Sequence, residues 1–419
     1  MAEAQTPAIV FTANAWTLLL LSSLTIMSGT VIVPAMPGMT QAFSDVADIE
    51  LLVKLVLTLP ALCIALCAPI IGWLLDYSSK KQVLVIAVFS YGVFGTAGYA
   101  ASDSIELLLL SRCLLGIAVA GVMVSGMTLA GAYFPGAAYA KYAGKQAAFS
   151  SLGGVIFMAV GGVVAEFDWR STFLVYVLAL VLLPLALLFI EEPALIEEPP
   201  PTKSPREKKG KGVLNLPPES IKPVLICYML AFIEIIVLYT IPVHYPFFAA
   251  SLGESGGIST GLAMATMLSV IALTSFGYSK IQRGSFFLTL SLGTTALGVG
   301  FILLGFSYNY VQSVAGLMMV GIGFGIMRPN TMTWLMSVVS GSSRGRIMGG
   351  MTTCIFIGQF ISPLVSEGMF QSLGYGVAYR YVGTAIIVLS ILVTLCYYVM
   401  HRYPRQYSKL CGTGSGCKN

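Results

Sequence analysis

Long apolar runs separated by short polar connections follow one another along almost the whole chain. Each is long enough to cross about 30 Å of hydrocarbon, which takes roughly 20 residues in a helix. Because the runs lack two-residue alternation, and backbone groups in lipid must satisfy their own hydrogen bonds, helices are favoured over a β-barrel. The sequence therefore predicts an all-α integral membrane protein with twelve transmembrane helices. They are expected at 16–36, 51–75, 82–101, 105–133, 144–166, 170–190, 222–248, 258–279, 285–306, 310–338, 346–368 and 376–400.

The composition agrees with this prediction. Of the 419 residues, 57% are hydrophobic and 10% are charged, whereas a soluble domain carries about 25% charged residues. So few charges cannot cover a water-exposed globule, and the apolar surplus must therefore face lipid.

Basic and acidic residues lie in different sets of connections, which alternate along the chain. With the N-terminus in the cytoplasm, most of the 23 Lys and Arg residues fall in the cytoplasmic connections and tails, and the opposite connections are mainly acidic. Since basic loops remain inside, the pattern predicts a multi-pass protein of the cytoplasmic (inner) membrane with both termini cytoplasmic. This topology accounts for the net charge of +5 without a nucleic acid partner.

A charged, Pro-rich stretch at 191–221 divides the predicted helices six and six. Such a composition cannot bury a core and predicts a cytoplasmic linker. The expected organisation is a six-helix bundle at 1–190, the linker, a second six-helix bundle at 222–402 and a cytoplasmic tail at 403–419. Repeated six-helix halves are a recurrent transporter design, with the substrate site between the halves near the membrane midplane.

The sequence contains none of the clusters expected for enzyme chemistry. His244 and His401 are the two histidines, and neither has a Cys or carboxylate at metal-ligand spacing. A His-rich cluster is absent, which argues against an integral membrane enzyme, and a Walker loop is absent, which argues against a primary pump. A repeated filter segment, typical of a channel, is also absent. We expect no metal, no cofactor and no enzymatic activity.

The connection after the second predicted helix resembles the signature of the major facilitator superfamily, G-x-L-a-D-r-x-G-r-k. Tyr77 and Ser79 depart from it. The resemblance implies a cytoplasmic gate, in which the aspartate and the basic residues latch the two halves near Ser343-Arg344, at the N-terminal end of helix 11. The alternative is a solvated loop acid. The matching positions are Gly72, Leu74, Asp76, Lys80 and Lys81.

Further motifs resemble the drug and metabolite:proton antiporters of this superfamily. Arg112 and Gly116 in helix 4 match R-x-x-x-G, which implies that Arg112 is linked to proton transfer. The ends of helices 7 and 11, at 239–248 and 358–363, are similar to those of exporters. In helix 5 the glycines of the exporter motif are present, but Phe157-Met158 replaces its central Gly-Pro, which favours an importer. The matching glycines are Gly153, Gly161 and Gly162.

Charged residues within the apolar runs are candidates for function, because each costs on the order of 2.5–3.5 kcal/mol at mid-membrane. The family resemblance implies a central cavity lined by helices 1, 4, 7 and 10, and so by Arg112, Glu234 and Arg328. Since burial favours the neutral form of a carboxyl group, Glu234 is predicted to carry the proton or to bind a cationic part of the substrate. The alternative is a structural Glu paired with an Arg. Arg328 is expected either to pair with Glu234 or to meet an anionic substrate.

Other candidates are weaker. His244 is predicted to bind the substrate or to relay protons; the alternative is a hydrogen-bonded helix histidine. Lys54 and Glu367 are functional candidates of the same kind; the alternative is that, near the external ends of helices 2 and 11, they reach the lipid headgroups. Four aromatic side chains are predicted either to stack on the substrate or to pack between helices. They are Tyr228, Tyr239, Tyr245 and Trp334.

The leading functional prediction is a secondary active transporter that works as a proton-coupled exporter of a small organic molecule, such as a drug, a siderophore or a metabolite. A proton-coupled importer of an organic anion is the alternative. The expected partners are the small-molecule substrate, protons and the bilayer, and the chain is expected to act as a monomer.

Overall fold

The computed structural model describes residues 12–134, 137–193, 218–254, 256–282, 285–339 and 344–402. Within them twelve helices are long and apolar enough to cross a membrane, which confirms the predicted all-α architecture. Most ends agree with the predicted ones to within a few residues. The helices are α1 (Ala13–Thr30), α2 (Ile49–Tyr77), α3 (Lys80–Ala100), α4 (Ile105–Tyr133), α5 (Ala137–Phe167), α6 (Val177–Phe189), α7 (Pro218–Ser251), α8 (Gly257–Ile281), α9 (Phe286–Gly305), α10 (Tyr310–Val338), α11 (Arg344–Leu373) and α12 (Tyr375–Arg402).

Polar residues in the connections decide where these apolar helices begin. The hydroxyl of Ser79 accepts a hydrogen bond from the Gln82 amide at the start of α3, as N-terminal caps do. Asp168 accepts from the Arg170 amide and separates α5 from a 3-10 segment, Trp169–Tyr176, that leads into α6. The first span has an extension beyond α1, a 3-10 turn at Val33–Ala35 and a short helix at Met36–Ala42.

The linker prediction can be compared with the structure only at its ends. Glu191 to Pro193 follow α6, and α7 begins at Pro218, four residues before the predicted start of the second bundle. The rest of the predicted linker, 194–217, and the predicted tail, 403–419, lie outside the described residues.

We call α1–α6 the N-terminal half and α7–α12 the C-terminal half. Within the N-terminal half, tyrosine hydroxyls fix helices to the α1 backbone: Tyr91 of α3 donates to the Leu24 carbonyl at 2.6 Å, and Tyr176 donates to the Ser28 carbonyl at 2.8 Å. Such bonds satisfy polar groups that would otherwise be buried without partners.

The halves pack against each other mainly through two helix pairs, α5 with α8 and α2 with α11, and the extension of the first span adds smaller contacts with α7 and α8. The hydrogen bonds that we trace between the halves join Lys54 to Glu367 and Ile258 to Glu166. Both lie at the end of the bundle where α5 ends and α8 begins. We call this end the closed end and the opposite one, where α2 ends and α3 begins, the open end.

Candidate functional site

Glu234 lies on α7, buried against α10 with 3% of its surface exposed. One carboxyl oxygen, Oε1, accepts a hydrogen bond of 2.7 Å from the Thr331 hydroxyl. The other, Oε2, is buried without a hydrogen-bond partner among the described residues. An ionised carboxylate is costly to bury unless it is fully paired. This site therefore favours a carboxyl group that holds a proton or binds an incoming donor.

Arg328 lies on α10, three residues before Thr331, and is half-buried. Its charge acts on Glu234, but within the described part of the chain the two side chains form no ion pair. The kink residue Pro329 cannot donate a hydrogen bond to the Gly325 carbonyl, and Ser275 of α8 donates to that carbonyl instead, at 3.1 Å. Because Arg328 and Glu234 influence each other without forming an ion pair, both side chains remain available to bind a ligand.

The predicted aromatic residues have different surroundings. Tyr239 is half-buried on α7. Tyr245 is fully buried and its hydroxyl bonds with that of Ser313 at 2.9 Å. Trp334 packs on Phe286 with ring centroids 4.3 Å apart. The Tyr228 hydroxyl donates to the backbone of α11. Tyr245, Trp334 and Tyr228 therefore hold the C-terminal half together, which is the packing alternative.

The predicted placement of Arg112 in the central cavity needs correction. Its side chain is fully buried inside the N-terminal half, where it donates to the Gly95 carbonyl at 3.0 Å. The guanidinium also lies 4.8 Å from the Phe173 ring centroid and 5.0 Å from that of Tyr176. The side chain of Arg112 leaves α4 toward α3 and the 3-10 segment Trp169–Tyr176 rather than toward the C-terminal half, so it lies away from Glu234 and Arg328.

The alternative that Lys54 and Glu367 reach lipid headgroups is wrong. Lys54 of α2 is fully buried and donates to both oxygens of Glu367 of α11, at 2.8 and 2.6 Å. Gln371 also donates to Glu367, at 2.9 Å, and Glu50 lies 3.5 Å from the Lys54 ammonium. The Phe247 ring centroid lies 4.9 Å from the same ammonium. Each buried charge finds an opposite charge in the other half of the protein, which replaces the water it has lost.

His244 belongs to this closed-end cluster and not to the Glu234 site. Its ring stacks on Phe370, with centroids 3.8 Å apart and planes at 5°. Its Nε2 bonds with the Ser366 hydroxyl at 2.8 Å, and its Nδ1 lies 4.0 Å from the nearest Glu367 oxygen. The structure thus places His244 with Lys54 and Glu367, apart from both Glu234 and Arg112.

Glycines bring α5 and α8 into backbone contact at the closed end. A Cβ atom on Gly162 would stand 2.7 Å from the Gly257 carbonyl oxygen, and one on Gly261 would stand 2.8 Å from the Gly162 Cα. Next to this crossing, Glu166 at the end of α5 accepts a hydrogen bond of 3.0 Å from the Ile258 amide at the start of α8. An anion at a helix N-terminus is favoured by the helix dipole, so this contact strengthens the closed end.

The predicted gate residues lie at the open end, within the N-terminal half. Asp76 is exposed, and a Cβ on Gly72 would have no atom within 4 Å. The amides of Lys80 and Lys81 donate to the Glu192 carboxylate at 2.9 and 2.8 Å, and Lys81 Nζ donates to the Leu187 carbonyl at 2.9 Å. Ser343, in the predicted partner region, is outside the described residues.

The Glu192 carboxylate accepts several hydrogen bonds at the open end, and they lower its pKa. Its partial burial acts to raise the pKa of the carboxyl group. Hydrogen bonds from the Ser79 hydroxyl and from the amides of Lys80 and Lys81 outweigh that effect, and the pKa is held below its ordinary value. The carboxylate is thereby favoured at the N-terminus of α3.

Four functional candidates were not found from the sequence: Thr331, Ser366, Glu166 and Glu192. Thr331 and Ser366 carry no signal beyond one hydroxyl within an apolar run. Glu166 lies in the last turn of α5 and Glu192 follows α6, so an acid at each helix end was the available signal. In the described part of the chain, no group of three or more His, Cys, Asp and Glu side chains is placed to hold a metal ion.

Comparisons with known proteins are consistent with this geometry. The family model described as Major Facilitator Superfamily matches residues 18–363 and 287–413. A similar curated protein is Multidrug resistance protein 1 of Bacillus subtilis (strain 168), 25% identical over 346 residues. The match covers 79% of this chain and 83% of that protein.

Several solved transporters have a similar fold. A bacterial homolog of the human lysosomal transporter Spinster, inward-facing and occupied, has a TM-score of 0.71 at 16% identity, covering 93% of this chain and 96% of that one. The xylose transporter XylE from E. coli, in an inward open conformation, has a TM-score of 0.72 at 12% identity, with 90% and 94% covered. The human organic anion transporter MFSD10 has a TM-score of 0.65 at 15% identity, with 91% and 98% covered. At these identities the likeness shows the fold alone.

Proposed function

The chain belongs to the Major Facilitator Superfamily, a family of secondary transporters and not of enzymes, and we propose that it exports a small organic molecule in exchange for protons. The cargo would be a drug, a siderophore or a metabolite. The transporter would act in the cytoplasmic membrane, with both termini and the open end facing the cytoplasm, as the distribution of basic residues favours.

The observation that carries this proposal is the Glu234 carboxyl group. It is buried, it has one oxygen without a partner, and it lies within the influence of an arginine that is itself not paired with it. A carboxyl group in such a place can exchange a proton for a ligand, because either one compensates the buried charge. Glu234 would carry the proton, and Arg328 would attract an anionic part of the cargo.

The contact pattern between the halves supports transport by alternating access. The cross-half hydrogen bonds of Lys54 and Glu166 both lie at the closed end, while Asp76 at the open end is exposed. Rocking of two such halves around a central site is how transporters with repeated halves work. In this account the cargo enters at the open end, and the closed-end contacts break to release it outside.

Export is preferred over import because the curated relative in Bacillus subtilis bears the name of a multidrug resistance protein. The second candidate is proton-coupled import of an organic anion. It is supported by Phe157-Met158 in α5, at the place where the exporter motif has Gly-Pro. The two differ in the direction in which a pH gradient drives the cargo.

The test is proton movement in proteoliposomes, followed with a pH-sensitive dye against a panel of drugs, siderophores and organic anions. At least one compound should drive proton movement through the wild-type protein. Glu234→Gln should abolish that movement while substrate binding, followed by thermal shift, remains. Glu106→Gln, an exposed acid on α4, is the matched control and should behave as wild type. Unchanged proton movement in Glu234→Gln would show that another group carries the proton.

A further inference from the structure

A second buried cluster of titratable groups lies at the closed end, apart from Glu234, and it joins the two halves. The Lys54 ammonium of α2 bonds to both Glu367 oxygens of α11, and Glu367 also accepts from Gln371. Opening the closed end must separate α2 from α11. The Lys54–Glu367 pair is therefore a latch that has to break in each transport cycle, and breaking it leaves a buried acid without its counter-charge.

Hydrogen bonding fixes which nitrogen of His244 is free to accept a proton. The Ser366 hydroxyl donates its hydrogen to the Ser362 carbonyl at 2.8 Å. It can therefore only accept from His244, so Nε2 carries the hydrogen in their 2.8 Å bond. Nδ1 is then the lone-pair nitrogen. It is buried without a hydrogen-bond partner among the described residues and lies 4.0 Å from the Glu367 carboxylate.

The titratable groups around His244 come from three helices. Glu367 is the facing group on α11, Lys54 with Glu50 behind it faces from α2, and the Tyr375 ring of α12 has its centroid 6.3 Å from the histidine ring. The single charged residue of α10 is Arg328. It belongs to the Glu234 site and not to the surroundings of His244. The extension of the first span, 33–42, carries no charged residue.

We propose that His244 and Glu367 form a proton-binding site, and that a proton taken up at His244 Nδ1 replaces Lys54 as the counter-charge of Glu367. This inference rests on the proposed proton-coupled transport and adds to it a site separate from Glu234. When the latch is closed, a second cation beside Lys54 is repelled. When His244 is protonated, Glu367 stays paired within the C-terminal half, and α2 can move away.

Lys54 and Glu367 each have an oppositely charged partner both when the latch is closed and when it is broken. Lys54 already has Glu50 at 3.5 Å on its own helix, with 40% of the Glu50 side chain exposed, so the released ammonium keeps a partially hydrated partner. Glu367 exchanges an ammonium for an imidazolium. Because protonation of His244 and closure of the latch oppose each other, proton binding must favour opening, and opening must favour proton binding.

The experiment measures the width of the closed end as a function of pH. Nitroxide labels are placed at Ser44 and Ser372, exposed residues of the two halves at this end, in a full-length chain whose native cysteines are replaced. Distances are recorded in lipid nanodiscs without substrate between about pH 8 and pH 5.5, where histidine titrates. Wild type should shift toward the longer distance as pH falls, by up to about tenfold in population per pH unit for one proton.

Four variants decide the outcome. His244→Gln should lose the pH dependence, and His401→Gln, which alters the other histidine of the chain, should keep it. His244→Phe preserves a ring against Phe370 and is a second test if His244→Gln folds poorly. Glu367→Gln should give the longer distance at every pH, because the latch is lost.

The proposal is overturned if both His244 variants retain the wild-type pH dependence, or if wild type shows none. Glu234→Gln separates this result from the proposed function. A pH response that vanishes in Glu234→Gln and persists in His244→Gln assigns the proton to Glu234 alone. A response that persists in Glu234→Gln and vanishes in His244→Gln supports the closed-end site, whichever group carries protons during transport.

Discussion

Replacing Gly162 by Ala should force α5 and α8 apart and shift the transporter away from the conformation closed at this end. The new Cβ would stand 2.7 Å from the Gly257 carbonyl oxygen and 3.0 Å from the Gly261 Cα. Both are backbone atoms, which cannot rotate away as a side chain can. The helices must therefore separate by several tenths of an ångström or more.

The size of the effect follows from the cost of overpacking, typically about 1–3 kcal/mol. That cost falls only on the conformation in which α5 and α8 cross here, since the contact is broken when the closed end opens. The ratio of open to closed conformations at this end should therefore rise by about 5- to 150-fold. The gain in helix propensity from Gly to Ala applies in both conformations and cancels.

The assay is the distance between labels on Ser44 and Ser372 at constant pH. Gly144→Ala is the matched control, since it lies on the same helix with no atom within 4 Å of the added Cβ. It should leave the distance distribution unchanged, whereas Gly162→Ala should populate the longer distance. If the two variants give the same distribution, the α5–α8 crossing does not hold the closed end.

Three further predictions concern single contacts. Lys54→Met should lower the melting temperature by leaving Glu367 buried and unpaired, at about 3–5 kcal/mol, and adding Glu367→Met should recover part of the loss. Glu192→Gln should lower the melting temperature near neutral pH. Because the folded pKa of Glu192 is depressed, this difference should be full above about pH 5 and disappear as pH falls below about 4. Arg112→Lys should reduce thermal stability, since an ammonium cannot reproduce both the bond to Gly95 and the stacking of the guanidinium on Phe173; equal melting curves would contradict this.

The architecture could be predicted from the sequence because lipid imposes a strong constraint. A helix of roughly 20 apolar residues is the local solution for each span, so α4 and α10 begin and end where the pattern predicts. Glu166, Asp168 and Arg170 are the charged residues where the predicted spans 144–166 and 170–190 meet, and Asp168 caps the turn between α5 and α6. Gly162 was matched to a glycine of the exporter motif, and it lies at a backbone contact.

Pairing between distant helices could not be predicted in the same way. Lys54 and Glu367 are 313 residues apart, and their contact depends on α2 packing against α11. When one helix is considered alone, a charge near its end fits a contact with lipid headgroups as well as it fits an ion pair with another helix. The opposite signs of the two residues were the available signal, because buried charges require partners.

The direction in which a side chain points from its helix could also not be predicted from the sequence. Arg112 lies on α4, yet its guanidinium packs on Phe173 and Tyr176 inside its own half. The helix is apolar on nearly all sides, so no polar face indicated which way Arg112 points. Glu234 was easier to place, because it is the single acid in the middle of α7.

The most direct test of proton-coupled transport through Glu234 is the substrate distribution at equilibrium across proteoliposomes under an imposed pH gradient. A compound that drives proton movement should accumulate on the acidic side, with its ratio changing about tenfold per pH unit for each proton exchanged. Glu234→Gln should equilibrate the same compound without regard to the gradient. A wild-type ratio that stays at unity under every pH gradient, for a compound that is transported, would contradict proton coupling and with it the role assigned to Glu234.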